Sequence, residues 1–538
     1  MTERIFSVKI TGKYVMQEHV SLMGIDVFII CTYLLGVFIL GSFFAKYVKN
    51  AGDFFIAGKA LPFWAIGMSI VVSDIGAMDF VAVGGSAYTH GIAVANFDWI
   101  GSMPAMVFAA FLFVPYFWRS GVFTIPEFLG RRYNTAVQVI HGSIWAVFMF
   151  TMLSLMLYVA ADQIMHTILG WNVTATIILM AVITGVYTFA GGLSAIVMVD
   201  AVQLIVMFVG GIALLWLSMW EVGGWSALQE QVLAMGSEYQ DHFTILLPHN
   251  TTSPYPWTGI VFGLGIVLSI AYMSGNQAVV QRTLGARSEW DAKAGMLFGG
   301  FLKAFIPLMV ALPGLAALII IPRVTGTMVE GDRAVPMMIG LMLPPGLKGL
   351  MFVALFAALM SSVDSTLNST TTIWVTDIWG RGWKWIKGRD MDEREALIVG
   401  RIFTIVLIVA AVAMAKYIGQ QESIYVLIQT ALSLFQGPTL AILVLGILWQ
   451  RTTRWGGLAG LVIGVAFCFM LNSSTKLFPS DDPFLFVAWW SFVFSLIVTV
   501  VVSLLTPPEP DEKIRGLVWA QVVQDAVVQE TLSERVSE

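Results

Sequence analysis

About thirteen long apolar blocks run through this chain, each long enough to cross a bilayer, and several carry acids or a lysine deep in their interiors. They lie near 24–45, 62–88, 96–117, 135–166, 172–190, 193–219, 257–281, 294–321, 346–378, 395–417, 421–449, 455–473 and 484–505. With 58% hydrophobic and 12% charged residues, the chain sits far from a soluble protein, which is about 45–50% apolar and about 25% charged. A soluble multidomain enzyme is excluded, and the fold class is an all-α polytopic membrane protein. A net charge of -5 argues against a nucleic-acid partner; the implied partner is the lipid bilayer. Cys31 and Cys468 both fall inside apolar blocks and read as packing residues. The first block is the membrane-targeting element, since no cleavable signal peptide precedes it.

Lysines and arginines orient the chain. Loops after odd-numbered blocks, among them those with Lys59, Arg131, Arg282 and Arg389, hold with the tail roughly 19, against about 8 on the other side. This predicts residues 1–23 outside the cell, a membrane domain over 24–505, and a cytoplasmic tail over 506–538 with amphipathic helix character around Leu517 to Val528. The expected location is the plasma membrane, or the inner membrane of a Gram-negative cell. The long external segment 220–256 has no Lys or Arg and carries Glu221, Glu230, Glu238 and Asp241.

Two blocks are interrupted. The second breaks at Ser73-Asp74-Ile75-Gly76 and the seventh at Ser274-Gly275-Asn276-Gln277, five blocks apart, so units of about 62–219 and 257–449 form an inverted pair. Asp74, Asp79, Asp200, Lys303 and Asp364 fall within blocks, with Asp98 and Asp162 nearer their ends. Each such charge costs on the order of 3 kcal/mol or more unless paired. Four carboxylates against one ammonium leave an excess of about three negative charges, to be met by protons or bound cations. The ninth block is dense in hydroxyls from Ser361 to Thr371, hard oxygen ligands suited to a cation such as sodium.

These residues carry a resemblance. Asp53-Phe54-Phe55-Ile56-Ala57-Gly58-Lys59, Phe123-Thr124-Ile125-Pro126-Glu127, Gly191-Gly192-Leu193-Ser194-Ala195 with Asp200 and Gln203, and Gln281-Arg282-Thr283-Leu284-Gly285 resemble, in order, the sodium:solute symporter family, and within it bacterial sodium/sugar cotransporters. The resemblance implies a leucine-transporter-like five-plus-five inverted repeat with interrupted helices. It implies a co-transported sodium on the Val72, Ile75 and Ala358 carbonyls and the Ser361 and Ser362 hydroxyls. Asp200, Asp364 and Ser365 resemble a second sodium site of some members, where Asp364 stands in a position often filled by serine or threonine and either strengthens that site or binds a proton. Solute positions correspond to Asp79, Asp98, Ser269, Lys303 and Gln429, outer gates to Phe97 and Tyr425, and an inner gate to Tyr272. The pattern departs from sugar members at Asp79 and Ser269, where they carry amides, and at Asp98, where they carry glutamate.

The expected function is therefore secondary active transport, not catalysis: sodium-coupled import of a small polar solute, a sugar or polyol, by alternating access. The alternatives are a sodium-coupled transporter of an amine or amino acid, encouraged by Asp79 and Asp98, and a proton-translocating subunit of a respiratory complex. Lys303 and Gln429 offer hydrogen bonds to hydroxyls, and aromatic faces cover either a sugar ring or an amine.

Overall fold

Helix is the one form that lets a long apolar block satisfy its own backbone in lipid. The computed structural model describes residues 6–10, 13–17, 22–75, 77–166, 170–418, 424–473, 477–478 and 483–519. Among them, ten helices are long and apolar enough to cross a membrane, or eleven with the bent pair Gly259–Gly275 and Gln277–Leu284. The difference from about thirteen blocks lies at the breaks. Blocks five and six merge into Val173–Val222, 50 residues whose backbone leaves helical geometry at Gly192 (φ 51, ψ -148). At 1.5 Å per residue that is about 75 Å, more than twice a hydrocarbon core of about 30 Å, so it makes two crossings that turn at Gly192. Block two splits into Phe63–Asp74 and Ala77–His90, each too short to cross alone.

The N-terminal segment departs from an all-helical reading by one antiparallel hairpin, Phe6–Ile10 against Lys13–Gln17, with Phe6 opposite Gln17. Its β-branched and aromatic residues favour strand. In the tail, the described part holds a short helix, Asp511–Ile514; residues 520–538, and with them most of the expected amphipathic helix, lie outside the described residues.

Leu347–Ile373, the ninth block, is the central post of the bundle. Every residue from Met351 to Ile373 is buried, as expected of a helix covered on all sides. Val173–Val222 packs along it, and Gly24–Phe43 lies against both. Asp26 fastens this group: buried in the first turn of Gly24–Phe43, its Oδ1 accepts from the Gly346 and Gly349 N–H groups at 2.7 and 2.8 Å. Those donors belong to the N-terminus of the central helix, where a carboxylate is favoured by unpaired N–H groups and the helix dipole.

The halves of block two pack on the eighth crossing, Phe63–Asp74 against Glu289–Lys303 and Ala77–His90 against Ile306–Thr325. The second contact is backbone on backbone, since a Cβ at Gly314 would sit 2.1 Å from the Gly84 carbonyl oxygen. Both breaks lie beside the central helix: Ser73 at the first touches Ser361 and Ser362, and Gln281 beyond the second bonds Ser369 and Thr372.

Candidate functional site

The first broken helix ends at Asp74, and Ile75 takes a non-helical backbone (φ -99, ψ 89). A helix that stops inside a membrane leaves its last carbonyls without their i+4 donors. Those carbonyls belong to Val72, Ser73, Asp74 and their neighbours. The ninth block supplies hydroxyls to this end: Ser362 donates to the Ser73 carbonyl at 3.1 Å and to the Ala358 carbonyl at 3.0 Å. Ser361 Oγ lies 2.9 Å from Ser73 Oγ. The break that follows Val72 is therefore in direct contact, through Ser73, with Ser361 and Ser362, and Ser362 in turn bonds the Ala358 carbonyl.

Next to this contact sits a cation that the sequence reading misplaces. Counted there among loop residues, Arg282 is 1% exposed and pairs with Asp200, itself fully buried, at 3.2 Å. Its guanidinium also donates to Ser69 and Ser73, both at 2.5 Å, and to Ser365 and the Ala278 carbonyl. Ser69 donates to Asp200 in turn. The cause is the 51° bend at the second break, where Asn276 caps Gln277–Leu284 by accepting from the Ala278 N–H, so that this half-helix carries Arg282 inward. A buried acid needs such a partner. The expected excess of three negative charges is corrected accordingly, because Arg282 balances Asp200.

Asp200, Ser365 and Asp364 do come together, but around protein groups. Arg282 holds Asp200 and Ser365, while Asp364, fully buried, accepts from the Tyr187 hydroxyl and from Ser365 at 3.1 Å. Tyr187 carried no signal in the sequence beyond being a tyrosine in an apolar block.

A second ionic cluster forms at Lys303, the last residue of its helix. Its ammonium pairs with Asp74, with Asp98 at 2.9 Å, and donates to Ser102 at 3.1 Å. The lysine side chain is 3% exposed, whereas Asp74 and Asp98 are 11% and 16% exposed. All three residues line a cavity of about 230 Å³, the carboxylates more exposed there than the lysine. Of the sequence-predicted solute and gate residues, Asp98, Ser269, Lys303, Phe97 and Tyr272 line that cavity. Asp79, Gln429 and Tyr425 lie on described helices, but their side chains lie outside the described part of the structure. Phe97 meets Tyr255 edge to face at 5.9 Å, and Tyr272 packs between two apolar clusters.

Polar lining residues absent from the predicted solute set include Asp74, Asn276 and Gln436. Gln436 is buried, and its Nε2 has no partner among the described residues. A glutamine in mid-block, seven positions beyond Gln429, was signal enough to find it. The cavity also borders Ser362 and Ser365, so the hydroxyl cluster and the ion triad open onto one space.

A model of the sodium:solute symporter family matches residues 54–464. The chain belongs to the sodium:solute symporter family. Among its relatives, a sodium/glucose cotransporter of Vibrio parahaemolyticus is 30% identical over 92% of this chain and 93% of its own. A sodium/myo-inositol cotransporter of Canis lupus familiaris is 30% identical over 95% of this chain and 77% of its own. In fold, the symporter is similar to a substrate-bound, outward-open Na+-coupled sialic acid symporter (TM-score 0.80, 19% identity, covering 91% of this chain and 99% of that one). It is also similar to Mhp1, a nucleobase-cation-symport-1 family transporter (TM-score 0.56, 14% identity, covering 87% and 99%). The protein is a multi-pass secondary active transporter of the leucine-transporter-like fold that carries sodium together with a solute, and not an enzyme. Family membership removes the reading as a subunit of a respiratory complex.

Proposed function

We propose that this symporter imports a sugar or polyol together with sodium, and that one sodium binds where the break of the second block meets Ser361 and Ser362. The observation that carries this is that contact itself, an interrupted helix end facing hydroxyl oxygens beside a polar cavity. The names of the relatives, glucose and myo-inositol cotransporters, support the solute class. So does the lining: Asp98, Ser269 and Gln436 offer acceptors and an amide donor with no partner among the described residues, the mixture that hydroxyls require. Val72, Ile75, Ala358, Ser361 and Ser362 are the proposed sodium ligands, and Asp79, Asp98, Ser269, Lys303 and Gln429 the proposed solute contacts, with Phe97, Tyr425 and Tyr272 as gates. A second sodium among Asp200, Asp364 and Ser365 requires Arg282 to withdraw.

The proposed repeats span about 62–219 and 257–449. The proposed orientation has the N-terminus outside and the C-terminus in the cytoplasm of the plasma or inner membrane. With Arg282 removed from the loops, the positive charge still favours that side by about two to one. One observation favours an amine as a second reading: the two cavity-lining carboxylates outnumber the lysine that pairs with them. A thermal-shift screen of sugars, polyols and amines, each with and without sodium, separates the two. Stabilisation by a neutral sugar or polyol that grows with sodium is expected; stabilisation by amines alone overturns the sugar reading.

A further inference from the structure

An ammonium has three N–H donors, and all three of Lys303's are taken within the protein, by Asp74, Asp98 and Ser102. In this state it has nothing to give a solute. Yet Asp74 immediately follows Ser73, whose hydroxyl touches Ser361 and whose carbonyl accepts from Ser362. Asp74, Ser73 and Ser362 also line one cavity, so the carboxylate that holds Lys303 and the hydroxyl cluster open onto the same space. Two cations, Lys303 and a sodium beside Ser361, would share Asp74 and repel each other across it.

We propose that Asp74 interlocks the two sites: without sodium, Lys303 neutralises Asp74 and is withheld from the solute; a sodium beside Ser361 and Ser362 takes over that role and frees a Lys303 N–H for a solute hydroxyl. This rests on the sodium position argued under the proposed function. Arg282 cannot serve in place of the sodium, because its donors go to Asp200, Ser69, Ser73, Ser365 and the Ala278 carbonyl. The interlock makes sodium binding precede solute binding. By linkage, it also makes Lys303 and sodium antagonists, since whatever weakens one hold on Asp74 strengthens the other.

That antagonism is the test, and it needs no knowledge of the solute. Binding of radioactive sodium to purified full-length protein is measured by scintillation proximity in the wild type, Lys303→Met, Asp74→Asn, the double variant and Ser361→Ala. Lys303→Met should bind sodium at least about tenfold more tightly, within the range of ordinary coupling energies. Asp74→Asn should bind it at least about tenfold more weakly, and the double variant should match Asp74→Asn. Unchanged or weakened sodium affinity in folded Lys303→Met overturns the interlock. Should Lys303→Met fail to fold, Asp74→Asn decides alone, and unchanged sodium affinity there overturns it. Ser361→Ala reports separately on the sodium site: if it binds sodium as the wild type does, the site assignment fails whatever the other variants show.

Discussion

At the scale of single residues, the centre of this protein is governed by the cost of burying charge. Arg282 and Asp200 are 1% and 0% exposed, so losing either partner strands the other in a medium that cannot solvate it. Arg282→Gln should lower stability by about 3–5 kcal/mol, read as a drop in melting temperature in detergent. The pair Arg282→Met with Asp200→Asn should cost less than the sum of the two single changes, because no unpaired charge remains. Gln436 makes a different prediction. Its Nε2 is buried with no partner among the described residues, and the residue borders the cavity. Gln436→Ala should raise the solute dissociation constant by about tenfold, one buried hydrogen bond at roughly 1.4 kcal/mol, while leaving sodium binding unchanged. Direct titration of both ligands checks this, and equal loss of both affinities would assign Gln436 to packing.

At the scale of elements, function depends on where helices stop. The turn at Gly192 is a case in which only glycine fits: its φ is 51°, and a Cβ there would lie 2.4 Å from the Phe54 carbonyl oxygen. Gly192→Ala is expected to abolish recovery of monodisperse protein. Gly121 has a φ of 65° but open space around its Cβ position, so Gly121→Ala should fold and lose only about 1–2 kcal/mol, the cost of a left-handed backbone. Size-exclusion profiles and melting temperatures of the two variants make the comparison. The breaks at Ile75 and Asn276 are of the other kind, placed to free carbonyls and to turn Arg282 inward rather than to reverse the chain.

At the scale of the whole molecule, coupling is energy conversion. With about 100 mV inside negative and a tenfold gradient, one sodium supplies about 2.3 plus about 1.4 kcal/mol, enough for roughly 500-fold accumulation of a neutral solute. Uptake into liposomes should collapse when choline replaces sodium. The C-terminal end carries a clasp with its own pH dependence. Glu509 accepts from Arg454 at 2.8 Å and from Lys513 at 2.8 Å, and Lys513 also donates to the Tyr133 carbonyl at 2.6 Å. Burial alone would push the Glu509 carboxyl up, but the two cations hold it down to about 2. A depressed carboxyl stabilises above its unfolded value of about 4.3 and loses that contribution as pH falls toward its folded value. Protection from hydrogen exchange over residues 507–519, relative to the intrinsic rate at each pH, should therefore fall between about pH 4 and pH 2; Glu509→Gln should show the lower protection already at neutral pH and no further acid step.

Membrane class, the two breaks and the hydroxyl-rich ninth block were legible in the sequence, because each rests on local composition along a single helix. Glycines and asparagine at a break, or Ser361 and Ser362 beside Asp364, announce themselves within a few residues. The merging of blocks five and six was not legible, since hydropathy cannot tell a turn at one glycine from a loop. Nor was the partner of any buried charge. Arg282 reads as a loop arginine until a 51° bend carries it to Asp200, 82 residues away in the chain. Lys303 reads as a donor to solute hydroxyls or as the partner of an aspartate, and only the structure brings Asp74 and Asp98 to it. The sequence by itself determined that charges are buried here and that lipid surrounds them, because the cost of transfer depends only on residue type and block length. Which charges cancel, and which remain for sodium and solute, only the tertiary structure decided, because an ion pair depends on distance, and distances between remote helices are set by packing.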